Sequence, residues 1–291
     1  MLDFNWKKLN PKYRRYKRQL ISYHSIAKRI EALRTKFDGQ SLKALKAVAK
    51  ELAEESTTGV DIGLILPRAY ALVGEIAWQF RREYPYTVQF MGAVALNDGH
   101  IVEMVNGEGK TLMAIMPAFL HTLPRGKRRR QVHIVTDNDY LAQRDALSMG
   151  PILHALELTV GAVWSSGAFT LRTQQNDFIG KYCRKQNAYK CNVVYVEKRA
   201  LIFDFLDDNL ALLPLERVVG SLDFAIVDEA DTILIDDATK PCIRTTRSEE
   251  AISTTNQFEK ADWVVRQLVE KKDYIVDEKN WFVELTERGE A

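Results

Sequence analysis

Cysteine is scarce in this chain: Cys183, Cys191 and Cys242 are the three it has in 291 residues. They lack close pairing and histidine companions, which excludes a disulfide framework and a zinc-type site and fits a reducing compartment. Long apolar runs are missing too. No stretch approaches the roughly 18 residues a bilayer span needs, and the charged start is not followed by the apolar run of a secretory signal. The expected location is therefore cytoplasmic. Net charge is close to absent at +2, so the molecule as a whole makes no electrostatic case for nucleic acid. Internal repeats and low-complexity tracts are not found. What is present is 46% hydrophobic residues, enough for a sizeable core, in a length that corresponds to about two domains.

The most informative stretch reads Met104-Val105-Asn106-Gly107-Glu108-Gly109-Lys110-Thr111. Gly107 and Gly109 suit a turn that aims backbone N–H groups at phosphate oxygens. Lys110 suits the β- and γ-phosphates, and the Thr111 hydroxyl suits Mg²⁺. A strict P-loop opens with a glycine, four residues intervening before its Gly-Lys pair, and Met104 stands in that place. The surroundings support the reading: residues 101–104 look like a short strand and residues 112–120 like a buried helix, with Pro117 expected to kink it. The alternative for a five-residue match is an ordinary two-glycine turn.

A second element lies far along the chain, Phe224-Ala225-Ile226-Val227-Asp228-Glu229-Ala230-Asp231. An unbroken apolar run suits a strand buried on both faces of a parallel sheet, and ligands gather at the carboxyl ends of such strands. Asp228 would hold Mg²⁺, directly or through water, and Glu229 would orient or deprotonate the attacking water. Alone, the acidic cluster reads equally as a solvated helix start; paired with the lysine loop it becomes a signature of nucleotide hydrolysis.

Helices are expected over residues 13–36, 41–55 and 67–82, with Ser41 as N-cap of the second and Pro67 in the first turn of the third. Beyond them, strands at residues 101–104, 131–136, 193–196 and 224–227 alternate with helices, one of which starts near Asn138. This alternation predicts a doubly wound parallel sheet. The basic stretch Lys12-Tyr13-Arg14-Arg15-Tyr16-Lys17-Arg18 suits phosphate backbones, anionic lipid headgroups or an acidic partner, and equally a solvated helix end. Lys127-Arg128-Arg129-Arg130 reads as an exposed loop in preference to a nucleic-acid contact. After Pro241 the composition turns to Ser, Thr and charged residues, followed by a helix near residues 261–271 and a hairpin of residues 274–276 and 281–285. The expected domains are a helical segment (1–83), a nucleotide-binding domain (84–240) and the start of a further α+β domain (241–291).

Asn138-Asp139-Tyr140-Leu141-Ala142-Gln143-Arg144-Asp145, directly after a strand, closely resembles a block of the SecA family, the motor ATPases of bacterial preprotein translocation. Other blocks agree in order. Tyr86-Thr87-Val88-Gln89 with Met91-Gly92 is similar to the family's adenine-reading segment, and Glu103-Met104 with Gly107 to Thr111 to its phosphate loop. Phe203-Asp204 and Asp208-Asn209 echo its Phe-Asp-Tyr-Leu-Arg-Asp-Asn stretch. Val227-Asp228-Glu229, with Asp231 to Asp236, resembles its acidic motif. Val276-Asp277-Glu278-Lys279 and Leu285-Thr286-Glu287-Arg288-Gly289 resemble the start of its preprotein cross-linking domain.

The resemblance implies an α/β fold of RecA-like type, a P-loop NTPase sheet with N-terminal helices and an incomplete C-terminal α+β segment. It implies ATP and Mg²⁺ as ligands. Gln89 would read the adenine edge, Gly107, Glu108, Gly109, Lys110 and Thr111 would hold the phosphates, Thr111 and Asp228 would hold the metal, and Asp228 with Glu229 would carry catalysis. It implies a SecY-type channel and preprotein as partners, an anionic membrane surface for the basic N-terminal helix, and a place at the inner face of the cell membrane. Nucleic acid is not an expected partner.

Departures from the family pattern are Val105 for an arginine, Tyr195-Val196-Glu197-Lys198-Arg199-Ala200 for Tyr-Gly-Thr-Asn-Asn-Glu, and Asp207 for the arginine before Asp-Asn. The chain also stops where the family continues into a second nucleotide-binding domain. It is expected to be a fragment, a truncated gene product or one component of a split motor, turning over ATP weakly alone. Two other readings stay open. One is a DEAD-box RNA helicase, whose motif Asp228-Glu229-Ala230-Asp231 spells, and the other a catalytically silent nucleotide-binding interaction module.

Overall fold

The computed structural model describes residues 11–105, 107–124, 130–174, 177–243, 260–277, 279 and 282–290, with backbone alone at 11–14, 277 and 290. The chain divides into two compact units, Met1–Lys240 and Pro241–Ala291.

The first unit opens with helices α1 (Pro11–Ala32), α2 (Arg34–Phe37), α3 (Leu42–Thr57), α4 (Ile62–Arg81), α5 (Thr87–Asn97) and α6 (Lys110–Thr122). Ser41 caps α3 by accepting from the Ala44 N–H at 3.3 Å, as its residue type predicts. The start of α4 is a correction. Asp61, not Pro67, marks it, accepting from the Gly63 N–H at 2.9 Å, and Pro67 sits buried inside the helix. A carboxylate that satisfies an open N–H outweighs the preference of proline for a first turn. The expected helix over 13–36 is broken at Leu33, where the Leu33 N–H bonds to the Ile30 carbonyl at 3.0 Å, and α2 follows as a separate turn.

Alternation begins after α6: β1 (Val132–Thr136), α7 (Asp139–Ala155), β2 (Val160–Trp164), β3 (Gly167–Gln174), β4 (Asp177–Tyr182), α8 (Lys185–Tyr189), β5 (Val193–Glu197), α9 (Lys198–Leu210) and β6 (Phe224–Val227). The sheet order is β4-β3-β2-β5-β1-β6. Strands β2, β5, β1 and β6 are parallel, while β3 and β4 add an antiparallel edge. Successive side chains of β5 point to opposite faces. Val193 and Tyr195 join the core built with α1 to α7, and Val194 and Val196 join a smaller core with Ala188, Tyr189 and Ala200 from α8 and α9. Helices on both faces make the sheet doubly wound, a RecA-like α/β arrangement. Strands β2, β3 and β4 are additions to the expected set.

The expected strand at 101–104 is absent: residues 101–105 carry no regular structure. Ile101 and Val105 face solvent, while Val102 and Met104 pack against the helical core. The alternation that reads as a strand is thus satisfied by one-sided packing on helices, without a neighbouring strand. Helix α6 runs through Pro117 as a single element. Residues 127–129 of the basic loop lie outside the described residues, while Arg130 donates from Nη2 to the Asp223 carbonyl at 3.1 Å. The Ser/Thr-rich stretch falls mostly outside them as well. In the second unit Tyr274–Asp277 and Phe282–Leu285 pair antiparallel, forming the expected hairpin. All three cysteines are free, and no described helix is long and apolar enough to cross a membrane.

His133, in the middle of β1 and 1% exposed, has a buried Nε2 without a hydrogen-bond partner among the described residues. Burial depresses its pKa from 6.5 to about 4. An unfolded imidazole therefore binds its proton near pH 6.5 and the folded one only near 4, so stability present above this window is lost as pH falls through it. The loss amounts to about 3 kcal/mol. His133→Leu is expected to flatten the fall in urea midpoint between pH 6.5 and 4 relative to the parent chain.

Candidate functional site

The parallel strands fix where chemistry can gather, because the loops after β1, β2, β5 and β6 all leave from one edge of the sheet. At that edge Asp137 and Asn138 follow β1, Lys198 follows β5, and Asp228 and Glu229 follow β6. Asn138 caps α7 by accepting from the Leu141 N–H at 3.0 Å. Glu197 caps α9, accepting from the Arg199 N–H at 2.8 Å and the Ala200 N–H at 2.7 Å, and takes the Ser165 hydroxyl at 3.0 Å.

Helix α6 carries the glycine loop to this sheet. It packs on β1 and β6, and near its C-terminal end the His121 ring stacks on Phe224 at the start of β6, 3.6 Å between centroids. That stack holds the C-terminal end of α6 at the amino end of β6. The first turn contains Lys110 and Thr111, both half-buried. Gly109 is its N-cap and offers no side-chain acceptor.

Gly107 and Gly109 have φ of 87° and 74°, the left-handed region that glycine enters without a Cβ penalty. Gly109 is constrained a second time, since a Cβ there would lie 2.2 Å from Gln89 Nε2. Gln89 is 5% exposed and ties the loop to the start of α5. Its Nε2 donates to the Glu108 carbonyl at 2.8 Å and its Oε1 accepts from the Tyr86 N–H at 2.8 Å. Exposed Glu108 closes a turn through its N–H to the Val105 carbonyl at 3.3 Å.

Asp228 is tied to the sheet by its N–H, which donates to the Val135 carbonyl at 2.9 Å. Its Oδ1 accepts from the Glu229 N–H at 3.0 Å, bending the chain so that Glu229 adopts φ of 49° and projects into solvent. A non-glycine residue held left-handed costs on the order of 1 kcal/mol. Beneath them lies a group without assignment in the sequence reading: the Tyr195 hydroxyl is buried without a hydrogen-bond partner among the described residues, and burial raises its pKa, with the charges of Asp145 and Asp228 adding to the effect. Burial also raises the Asp145 carboxyl, against the pull of Arg144, which donates to it from Nε at 2.8 Å.

A further group missed from sequence is Lys198, whose ammonium donates to both Asp137 and Asp237. Hydrogen bonds from Lys198 and then Lys240 hold the Asp237 carboxyl at about 2, below its ordinary range. The signal available in sequence was the position of Asp137 and Lys198, each one polar residue, Thr136 or Glu197, beyond a largely apolar run.

Among the described residues no three His, Cys, Asp or Glu side chains gather as a metal-holding group. The Thr111 hydroxyl and the Asp228 carboxylate are hard oxygen donors, a set that fits Mg²⁺, which keeps waters and takes the rest of its shell from substrate phosphates. Gly109→Ala is expected to destabilise the chain by about 1–3 kcal/mol in urea unfolding. Measured in a Gln89→Ala background, the cost of Gly109→Ala should be smaller but not zero, because the clash is gone while the left-handed strain stays.

Residues 9–288 match the family model described as SecA DEAD-like domain. Three proteins named protein translocase subunit SecA are similar over nearly the whole chain. The protein from Clostridium tetani is 36% identical over 98% of this chain and 31% of its own length. That from Halothermothrix orenii is 38% identical over 94% and 30%. That from Rubrobacter xylanophilus is 39% identical over 94% and 28%. The chain thus spans about three tenths of the length of these relatives. Matched along almost all of its length, the chain belongs to the SecA DEAD-like domain family.

Proposed function

We propose that this chain is an ATP-binding motor module of protein translocation, with its nucleotide between the glycine loop at the start of α6 and the carboxylates at the end of β6. The observation that carries the reading is the Gln89 clamp. A buried amide donates to the Glu108 carbonyl of the turn that precedes Lys110 while its oxygen is held by the Tyr86 N–H at the start of α5, and Gly109 lacks the atom that would collide with it. Such a turn is a preformed cradle for phosphate.

In this reading the backbone N–H groups of the Gly107 to Thr111 loop and the Lys110 ammonium bind the phosphate oxygens. Gln89 sets the loop, and to read the adenine edge it would have to release its bond to Glu108 or to Tyr86. Thr111 and Asp228 hold Mg²⁺, which when bound neutralises phosphate charge. Glu229, exposed and fixed by its bent backbone, orients the attacking water and accepts its proton. Transition-state cations would come from a second domain, and an arginine finger is worth roughly 10³–10⁵ in rate. The chain by itself is therefore a slow ATPase.

We further propose a SecY-type channel and an unfolded preprotein as partners, at the inner face of the cell membrane. The supporting feature is α1, where Arg15, Tyr16, Lys17 and Arg18 are all exposed, a surface that attracts anionic headgroups.

Titration with a fluorescent ATP analogue in Mg²⁺ tests the site. Lys110→Ala is expected to abolish binding; retained binding would refute the cradle. Glu229→Gln should leave affinity within about twofold while lowering steady-state turnover by about 10²-fold or more. Loss of affinity in that variant would make Glu229 a structural residue.

A further inference from the structure

The chain between Asp228 and Asp237 is poorly held by apolar contact. Glu229 is exposed, Leu234 and Ile235 face solvent, and Ile233 packs only partly against the smaller core. The segment finishes in a π-helical turn, Thr232–Asp236, whose following residue Asp237 is half-buried. Something polar has to hold it.

The tether present is Lys198. Its side chain is only 12% exposed, and its ammonium donates to Asp137 and to Asp237 at once. Lys198 is the first residue after β5, Asp137 the first after β1, and Asp237 closes the segment after β6. Since β1 lies between β5 and β6, the ammonium reaches across the end of the central strand and joins three loops of one edge. Lys240 adds a second contact to Asp237 at 2.6 Å, from a side chain 64% exposed, and so is the weaker partner. Lys198 is the enclosed one, where removing one charge leaves the others uncompensated.

We propose that Lys198 is a positioning residue that pins the segment 228–237 to the carboxyl edge of the sheet and thereby fixes Asp228 and Glu229 for a metal–nucleotide complex. The proposal rests on the nucleotide reading of this edge only for its second half; the pinning itself is a property of the free chain. Lys198 acts through Asp137 and Asp237 and touches no ligand.

Amide hydrogen exchange on the full chain without ligand tests the first half. Lys198→Met is expected to speed exchange across residues 228–237 by roughly tenfold, leaving α7 and β5 at parental rates. Lys198→Arg should restore protection. Asp237→Asn should reproduce the Met effect, and Lys198→Met in the Asp237→Asn background should add little to it. Unchanged exchange at 228–237, or a rise spread evenly over the sheet, overturns the proposal. If Lys198→Met does not fold, Asp237→Asn decides by the same criteria.

Binding of the fluorescent ATP analogue tests the second half. The Met variant should lose severalfold affinity in Mg²⁺ and none in EDTA, with recovery in the Arg variant. Equal loss under both conditions, or no loss, refutes a positioning role. A parent chain that binds no analogue at all refutes the nucleotide reading, and the exchange measurement then decides the pinning alone.

Discussion

Burial of strands on both faces is the constraint from which the rest of this molecule follows. A parallel strand with both faces covered spends its backbone groups on its two neighbours and its side chains on two helical layers, so only its ends are free to do chemistry. Strands β1 and β5 meet that condition completely, every one of their residues being buried. The polar residues that the chain places next, Asp137 and Lys198, have one place to go, which is the shared carboxyl edge. The loop of α6 is brought to the same sheet from the outside, by a helix seated on β1 and β6.

Much of this was legible in the sequence because the signals were local. Ser41 and Asn138 cap helices with short-range hydrogen bonds that any chain context preserves. The run Phe224 to Val227 is a strand as its contiguous apolar residues predict, but it is not buried on both faces as expected: β6 is an edge strand with Ala225 exposed and only Ile226 buried, because a single neighbour, β1, pairs with it. The glycine loop was legible for a similar reason, since positive φ at Gly107 and Gly109 is a property of the residue itself.

What escaped depends on partners distant in sequence. Residues 101–104 alternate as a strand would, and only the presence of α5 and α6 on one side turns that alternation into packing. Gln89 sits 20 residues before Gly109, and their contact is visible only once α5 and α6 lie together. Lys198 read as a departure from a family pattern; in space it is a cation between two carboxylates, 61 and 39 residues away. Glu197, in the same departing block, performs the helix-capping that a small hydroxyl residue performs elsewhere. The block that departs from the family pattern thus supplies a capped helix start at the sheet edge.

The stack of His121 on Phe224 gives α6 a fulcrum. His121 Nε2 also lies 3.1 Å from Asn97 Oδ1, so the held end of the helix is coupled to the last residue of α5, the same helix whose beginning supplies Gln89. Two rods joined at both extremities form a closed linkage. The turn before Lys110 and the far end of α6 are therefore both anchored to a single neighbouring helix, α5.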